Sequence, residues 1–347
     1  MKIINFITVS VGKFILPVTT LFLFSFIYTD YYSASLFQGD ELTYLKLANQ
    51  MNDNDLSMLE RSALSLSTSL NFLWPLILSY VPSLELDGNI ILHISRIVLL
   101  VSAYIFFNKT FGISLPVIIL MIPFLFQASI YSGTLYRDDV VFSLLLLFMC
   151  FIHKNIFSPV ALSILFLIIG LRASLGAIVI PVAAVMVLNA LTKSEMKTKL
   201  YLISLFLILM MLFIITNQAL ISYAINIFKN APIDIYNFLR PFFSPINPLM
   251  VEGEIRYNNP VIFILFYINK IFFLASIIYL LFIKNRAHIE WKIIFYSLFF
   301  ILPYFFFPEN LGMRQAIGFQ FIIYTIFINA AYESILGSLY NSNEYKR

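Results

Sequence analysis

Apolar runs long enough to cross a bilayer recur from one end of the chain to the other, divided by short polar turns and two long polar segments. About 20 apolar residues cross the hydrocarbon core. On that measure the pattern predicts about ten spans, at 14–29, 89–107, 113–130, 139–153, 157–170, 174–191, 200–217, 261–283, 291–307 and 316–333. The run at 157–170 is short for a full crossing, so it and 174–191 also fit a re-entrant pair. The expected fold is an all-α polytopic membrane protein, a single transmembrane domain over 1–347 with no internal repeat. The polar tail at 334–347, with Tyr340-Asn341-Ser342-Asn343-Glu344-Tyr345, is expected to fray.

The first long polar segment, 30–88, has a pattern of its own. Leu56, Leu59, Ala63, Leu66 and Leu70 recur at three- and four-residue spacing, which puts them on one helical face. Asp55, Ser57, Glu60, Arg61 and Ser65 take the opposite face. A helix of this kind lies in a membrane interface. Asp40–Met51 also reads as helical, with Tyr44, Leu47 and Met51 on one side. Phe72–Val81 is apolar, broken by Pro75 and too short to cross. The segment therefore reads as a set of interfacial helices lying flat on the outer leaflet. The second long segment, 218–260, is rich in aromatics and prolines and carries Arg240, Glu252, Glu254 and Arg256.

Composition agrees with lipid as the main solvent, since 61% of residues are hydrophobic and 12% charged. The single cysteine, Cys150, excludes an internal disulfide framework. His93, His153 and His288 show no zinc-ligand spacing. Lys2 and Lys13 flank the first apolar run without a small-residue cleavage site, so that run reads as a retained helix. The +4 charge is spread over short loops, which argues against a nucleic-acid partner.

Charge also gives an orientation. With the N-terminus cytoplasmic, the inner segments hold Lys2, Lys13, Lys109, Lys154, Lys193, Lys197, Lys199, Lys284, Arg286, Lys292, Lys346 and Arg347, 12 of the 22 basic residues. Only Glu195, Glu290, Glu333 and Glu344 of the 18 acids join them. An excess of Lys and Arg in short inner loops fixes topology, so both termini are expected in the cytoplasm.

At the outer face stand two acidic pairs, Asp40-Glu41 in the first long segment and Asp138-Asp139 in Tyr136-Arg137-Asp138-Asp139. Four carboxylates at one interface can bind a divalent cation, magnesium or manganese, through Asp40, Asp138 and Asp139, or can activate a hydroxyl. The plain alternative is that each pair marks where a helix leaves the lipid. Arg96 shares a helical face with His93. Arg172 separates two apolar runs, Lys270 lies inside the eighth span, and Arg314 heads the tenth. Cations in a membrane domain mark functional sites by default, with snorkelling to the interface as the alternative. Arg137, Arg172, Arg314 and Arg240 are candidates for gripping phosphate, beside aromatic rings that suit a sugar face. An interfacial aromatic belt has the same composition.

This arrangement resembles the GT-C-type membrane glycosyltransferases. That group places one acidic motif in a long first outer loop with membrane-parallel helices, and a second between the third and fourth spans. Asp40, Glu41 and Tyr44 in Gly39-Asp40-Glu41-Leu42-Thr43-Tyr44 match the first motif, and Asp138 and Asp139 match the second. Arg314 stands where the group has an arginine-tyrosine pair, although Gln315 follows it here. The chain also resembles the EpsG-like and Wzy-type polysaccharide (O-antigen) polymerases through Ser132-Gly133-Thr134-Leu135-Tyr136-Arg137-Asp138-Asp139-Val140.

Both resemblances imply glycosyl transfer from a polyprenyl phosphate or pyrophosphate at the periplasmic face of a bacterial inner membrane. The product would be a surface polysaccharide such as O-antigen, capsule or exopolysaccharide. They imply Asp40 or Glu41 as the base that takes the acceptor's proton, and arginine as the clamp on the departing phosphate. The expected partners are the lipid-linked donor, the glycan acceptor and other membrane proteins of polysaccharide assembly. A single-sugar transferase and a repeat-unit polymerase both remain open. A flippase for the same lipid-linked sugar is the rival reading, although transporters favour repeats and midplane charges.

Overall fold

A computed structural model of the chain describes residues 14–23, 40–54, 56–68, 71–81, 90–113, 137–154, 159–172, 260–282 and 313–344, with single positions in 117–129 and 200–211. These residues are helical apart from turns and caps, with no strand among them. Among the described residues one helix, Ile90–Thr110, is long and apolar enough to cross a membrane, and Phe14–Leu23, Pro159–Leu171 and Lys270–Phe282 are shorter apolar stretches. The expected spans 174–191 and 291–307 and the segment 218–259 lie outside the described residues, as does Arg240.

After Phe14–Leu23 come α1 (Asp40–Asp53), α2 (Met58–Thr68), α3 (Leu73–Leu78), α4 (Ile90–Thr110), α5 (Asp138–Lys154), α6 (Pro159–Leu171), α7 (Pro260–Phe282) and α8 (Met313–Glu344). Pro159 and Pro260 each open a helix, where the missing amide proton has no intrahelical partner to lose. The chain divides into two compact units, residues 1–110 with 128–232, and residues 111–127 with 233–347.

In the first unit α5 packs on both α4 and α6, and the short α3 packs on α1, α2 and α6. Successive residues of a helix turn by about 100°, so α5 presents different residues to its two neighbours. Gly170 of α6 sets the approach of α3. A Cβ added there would stand 3.0 Å from Leu73 Cβ and 3.2 Å from Phe72 Cζ. The first of these cannot swing aside, because it is fixed to the α3 backbone. Gly170→Ala should therefore lower stability by about 1–2 kcal/mol despite alanine's better helix propensity, since overpacking outweighs it. A thermal melt of the detergent-solubilised protein reads this, and a raised midpoint would contradict the tight α3–α6 contact.

Helix α2 turns two residues of its polar face, Arg61 and Ser65, inward. Ser57 opens it with a capping box. Its amide donates to Glu60 Oε2 at 2.9 Å and its hydroxyl to the same oxygen at 2.6 Å. These bonds hold the Glu60 carboxyl below its ordinary range. Arg61 turns back into the protein and donates to Leu56 O at 2.7 Å, Asn52 Oδ1 at 2.9 Å and Ser79 O at 2.7 Å. It also lies over the Tyr80 ring, 5.1 Å from its centre. Buried Ser65 donates to Phe72 O. Met58 and Leu59, by contrast, are 71% and 82% exposed. Of the expected apolar stripe, Leu59 and Ala63 are thus exposed and Leu56 and Leu66 half-buried, while Arg61 and Ser65 tie α1, α2 and α3 together.

The second unit packs α7 on α8 through aromatic rings. Phe272 meets Tyr324 at 5.3 Å and Phe327 at 5.4 Å, while Phe124 meets both Phe272 and Tyr324, at 5.2 and 4.9 Å. Lys270 is buried on α7 rather than snorkelling to an exposed position. Helix α8 runs past the expected span end at 333 and on to Glu344. No proline interrupts 334–344, and its one glycine, Gly337, costs about 1 kcal/mol in a helix interior.

Candidate functional site

Three consecutive residues at the start of α5 reach three different elements. Arg137 stands at the helix N-cap, where its carbonyl accepts from Val141 N at 3.0 Å. Asp138 and Asp139 fill the first turn, the position where the helix dipole favours negative charge. With about 100° between neighbours, the three side chains diverge.

Arg137 reaches α1. Its Nη1 donates to the Tyr44 hydroxyl, and its guanidinium lies over the Tyr44 ring at 5.1 Å. Asn71, just before α3, donates its side-chain amide to the same hydroxyl at 3.2 Å. The Tyr44 oxygen thus accepts from two donors, and the contact joins positions 93 residues apart in sequence. Tyr44 owes its place to the face expected for α1, where Tyr44, Leu47, Ala48 and Met51 are all buried.

Asp138 reaches α6, pairing with Arg172 Nη1. Arg172 follows the last residue of that helix, and its amide is held by Ile168 O at 2.8 Å. Asp139 reaches α4, where Arg96 grips it with two nitrogens, Nε to Oδ2 at 2.9 Å and Nη2 to Oδ1 at 2.5 Å. The other side of Arg96 is covered by Trp74, with the guanidinium 5.2 Å from the ring centre. His93, one turn earlier on α4, is buried, and its Nε2 has no hydrogen-bond partner among the described residues.

The expected picture of four converging carboxylates changes in one respect. Asp138 and Asp139 each face a guanidinium on a different helix, so arginine stands where a cation bound by these two residues would. Among the described residues no three His, Cys, Asp or Glu side chains gather into a metal site. Helix α1 begins at Asp40, and residues 40 and 41 come one turn before Tyr44. The side chains of Asp40, Glu41 and Arg314 lie outside the described residues.

Of the expected site residues, the first unit brings together Tyr44, Arg96, Arg137, Asp138, Asp139 and Arg172, with His93 beside Arg96. Asn71 and Trp74 join them without having been singled out in the sequence. Trp74 carried a signal, as one of two tryptophans in the chain. Asn71 carried a weaker one, as an amide between apolar runs. Lys270 belongs to the second unit. No family model, curated protein or solved structure matches the chain.

Proposed function

We propose that the chain is an integral-membrane glycosyltransferase that uses a polyprenyl phosphate- or pyrophosphate-linked sugar or oligosaccharide. It works at the periplasmic face of a bacterial inner membrane, in surface polysaccharide or lipopolysaccharide biosynthesis, as a GT-C-like transferase or a Wzy-type polymerase. It crosses the membrane about ten times, with both termini in the cytoplasm.

The observation that carries this reading is the bond between Tyr44 and Arg137. It joins the first acidic motif to the second, which the resemblance requires and which chain separation alone does not. Tyr44, Leu47 and Met51 form the buried stripe of α1, and it is Tyr44 of that stripe that docks at Arg137. The exposed Met58 and Leu59 of α2 support a place in the lipid interface, where the donor's lipid is held.

In the proposed reaction the acceptor hydroxyl oxygen attacks the anomeric carbon. The proton goes to Asp40 or Glu41, and the bond between that carbon and the phosphate oxygen breaks. The electron pair leaves on the polyprenyl phosphate or pyrophosphate. Arginines stabilise that charge, with Arg137 and Arg172 the candidates beside the second motif. Because positive charge at this place comes from guanidinium groups, no step is assigned to a metal.

Deletion of the gene followed by gel electrophoresis of surface polysaccharide tests the reading. A single repeat without a ladder is expected of a polymerase, and a ladder of altered mobility is expected of a decorating transferase. An unchanged ladder would contradict both.

A further inference from the structure

Arg61 is a cation held by neutral groups. Its Nε donates to Leu56 O at 2.7 Å, and its Nη1 donates to Asn52 Oδ1 at 2.9 Å and Ser79 O at 2.7 Å. Among the described residues no carboxylate pairs with it, the ion pairs there being Arg96–Asp139 and Arg172–Asp138. Glu60, its neighbour in sequence, turns to Ser57 instead. A guanidinium carries N–H groups on Nε, Nη1 and Nη2 and accepts no hydrogen bond itself. Nε and Nη1 are engaged, which leaves Nη2 with no bond among the described residues and open at the surface.

The surroundings of that open edge are apolar. One face of the guanidinium rests on the Tyr80 ring, and Tyr80 is 55% exposed. Met58 lies one turn before Arg61 on the same side of α2, and both it and Leu59 are exposed. The bare side chains favour hydrocarbon while Nη2 favours an anion, and the headgroup boundary of a bilayer offers both at one depth. The place is also separate from the two acidic motifs. Arg61 is tied to the far ends of α1 and α3, and Asn52 stands about 12 Å along α1 from Tyr44 at 1.5 Å per residue.

We propose that Arg61 binds the phosphate of a bilayer phospholipid, with Met58 and Leu59 set among the acyl chains beside it. Arginine–phosphate bonds are charge-assisted, and the phosphate supplies the counter-charge that no carboxylate of the described residues gives. The guanidinium is already fixed by its three bonds, so little side-chain freedom is lost on binding. The bound lipid then anchors α2, and through Arg61 the ends of α1 and α3, at the level of the headgroups. This rests on the membrane placement proposed above and not on sugar transfer.

Solid-state NMR of the full chain in bilayers of phosphatidylglycerol and phosphatidylethanolamine, with isotopic carbon at the arginine Cζ, reads carbon–phosphorus proximity by rotational-echo dephasing. The Arg61 signal is the one lost in Arg61→Lys. In the unaltered protein, with no polyprenyl lipid present, it should lose most of its intensity under phosphorus dephasing. A signal that keeps its intensity would overturn the proposal. So would dephasing that begins only when polyprenyl pyrophosphate is added, which gives the phosphate to the donor. Equal dephasing by inorganic phosphate in bilayers of a phosphate-free glycolipid would mark a free-anion site and overturn it as well.

A second measurement leaves Arg61 in place and guards against a variant that does not fold. Leu59→Cys is labelled with nitrobenzoxadiazole, Cys150 being buried. Its emission should be largely lost in bilayers whose lipids carry a quencher near the headgroup, and emission like that of the label in water would overturn the proposal. A chain that transfers sugar and shows no dephasing at Arg61 loses this inference alone. A chain that shows the dephasing and transfers no sugar keeps the lipid site and loses the glycosyl-transfer reading.

Discussion

Arg96→Met is expected to destabilise the protein by about 3–5 kcal/mol, the largest stability effect of any single change at the site. The substitution strips a fully buried carboxyl group of the guanidinium that pairs with both of its oxygens. It also removes the cation from the Trp74 ring, a contact worth about 0.5–2 kcal/mol. The cost comes from the orphaned carboxyl group more than from the missing bond. The double variant Arg96→Met/Asp139→Leu should therefore recover most of the loss, because an apolar pair of similar volume needs no partner. Denaturant unfolding of the solubilised chain measures both. A single variant within 1 kcal/mol of the unaltered protein would mean that Asp139 is not held as described.

The second large effect concerns catalysis. Removing the general base should lower transfer by about 10²–10⁴-fold, so either Asp40→Ala or Glu41→Ala should fail to restore polymer to a deletion strain. The other of the two should retain activity in part. Expression must be matched by immunoblot, so that loss of protein is not read as loss of chemistry. If alanine at Asp40 and alanine at Glu41 both restored a full ladder, the base would have to be sought elsewhere, with His93 the next buried candidate in the first unit.

Much of the local architecture was legible in the residues. The buried face of α1 follows from the spacing of Tyr44, Leu47 and Met51, and the start of α5 follows from two acids entering an apolar run. The stripe on α2 was legible as well, down to which side is polar. Its consequence was less obvious, because Arg61 and Ser65 make their bonds to α3 and its neighbours. Helix α8 runs past the expected end of its span because hydropathy marks the apolar stretch, whereas helical backbone can continue into polar sequence that holds no proline.

The partners within the site were not legible. Arg96 and Asp139 are 43 residues apart, and Arg172 and Asp138 are 34 apart. Charge counting identified all four as residues needing a reason, without saying that they give it to one another. Arg172 therefore read as a phosphate clamp and the two aspartates as cation ligands or bases. The pairing depends on α5 lying between α4 and α6, a packing fact that no local pattern carries. Asp40 and Glu41 keep the standing that their spacing from Tyr44 confers. The contact between the two motifs is made by Tyr44 and Arg137.

Purified chain in proteoliposomes, supplied with a radiolabelled sugar on a polyprenyl pyrophosphate and with a glycan acceptor on the lumenal side, tests the central claim most directly. The account predicts that label appears on the acceptor and that free polyprenyl pyrophosphate is released in equal amount. Label that crosses the bilayer still joined to its lipid, with no sugar–phosphate bond broken, would contradict the account and make the chain a transporter.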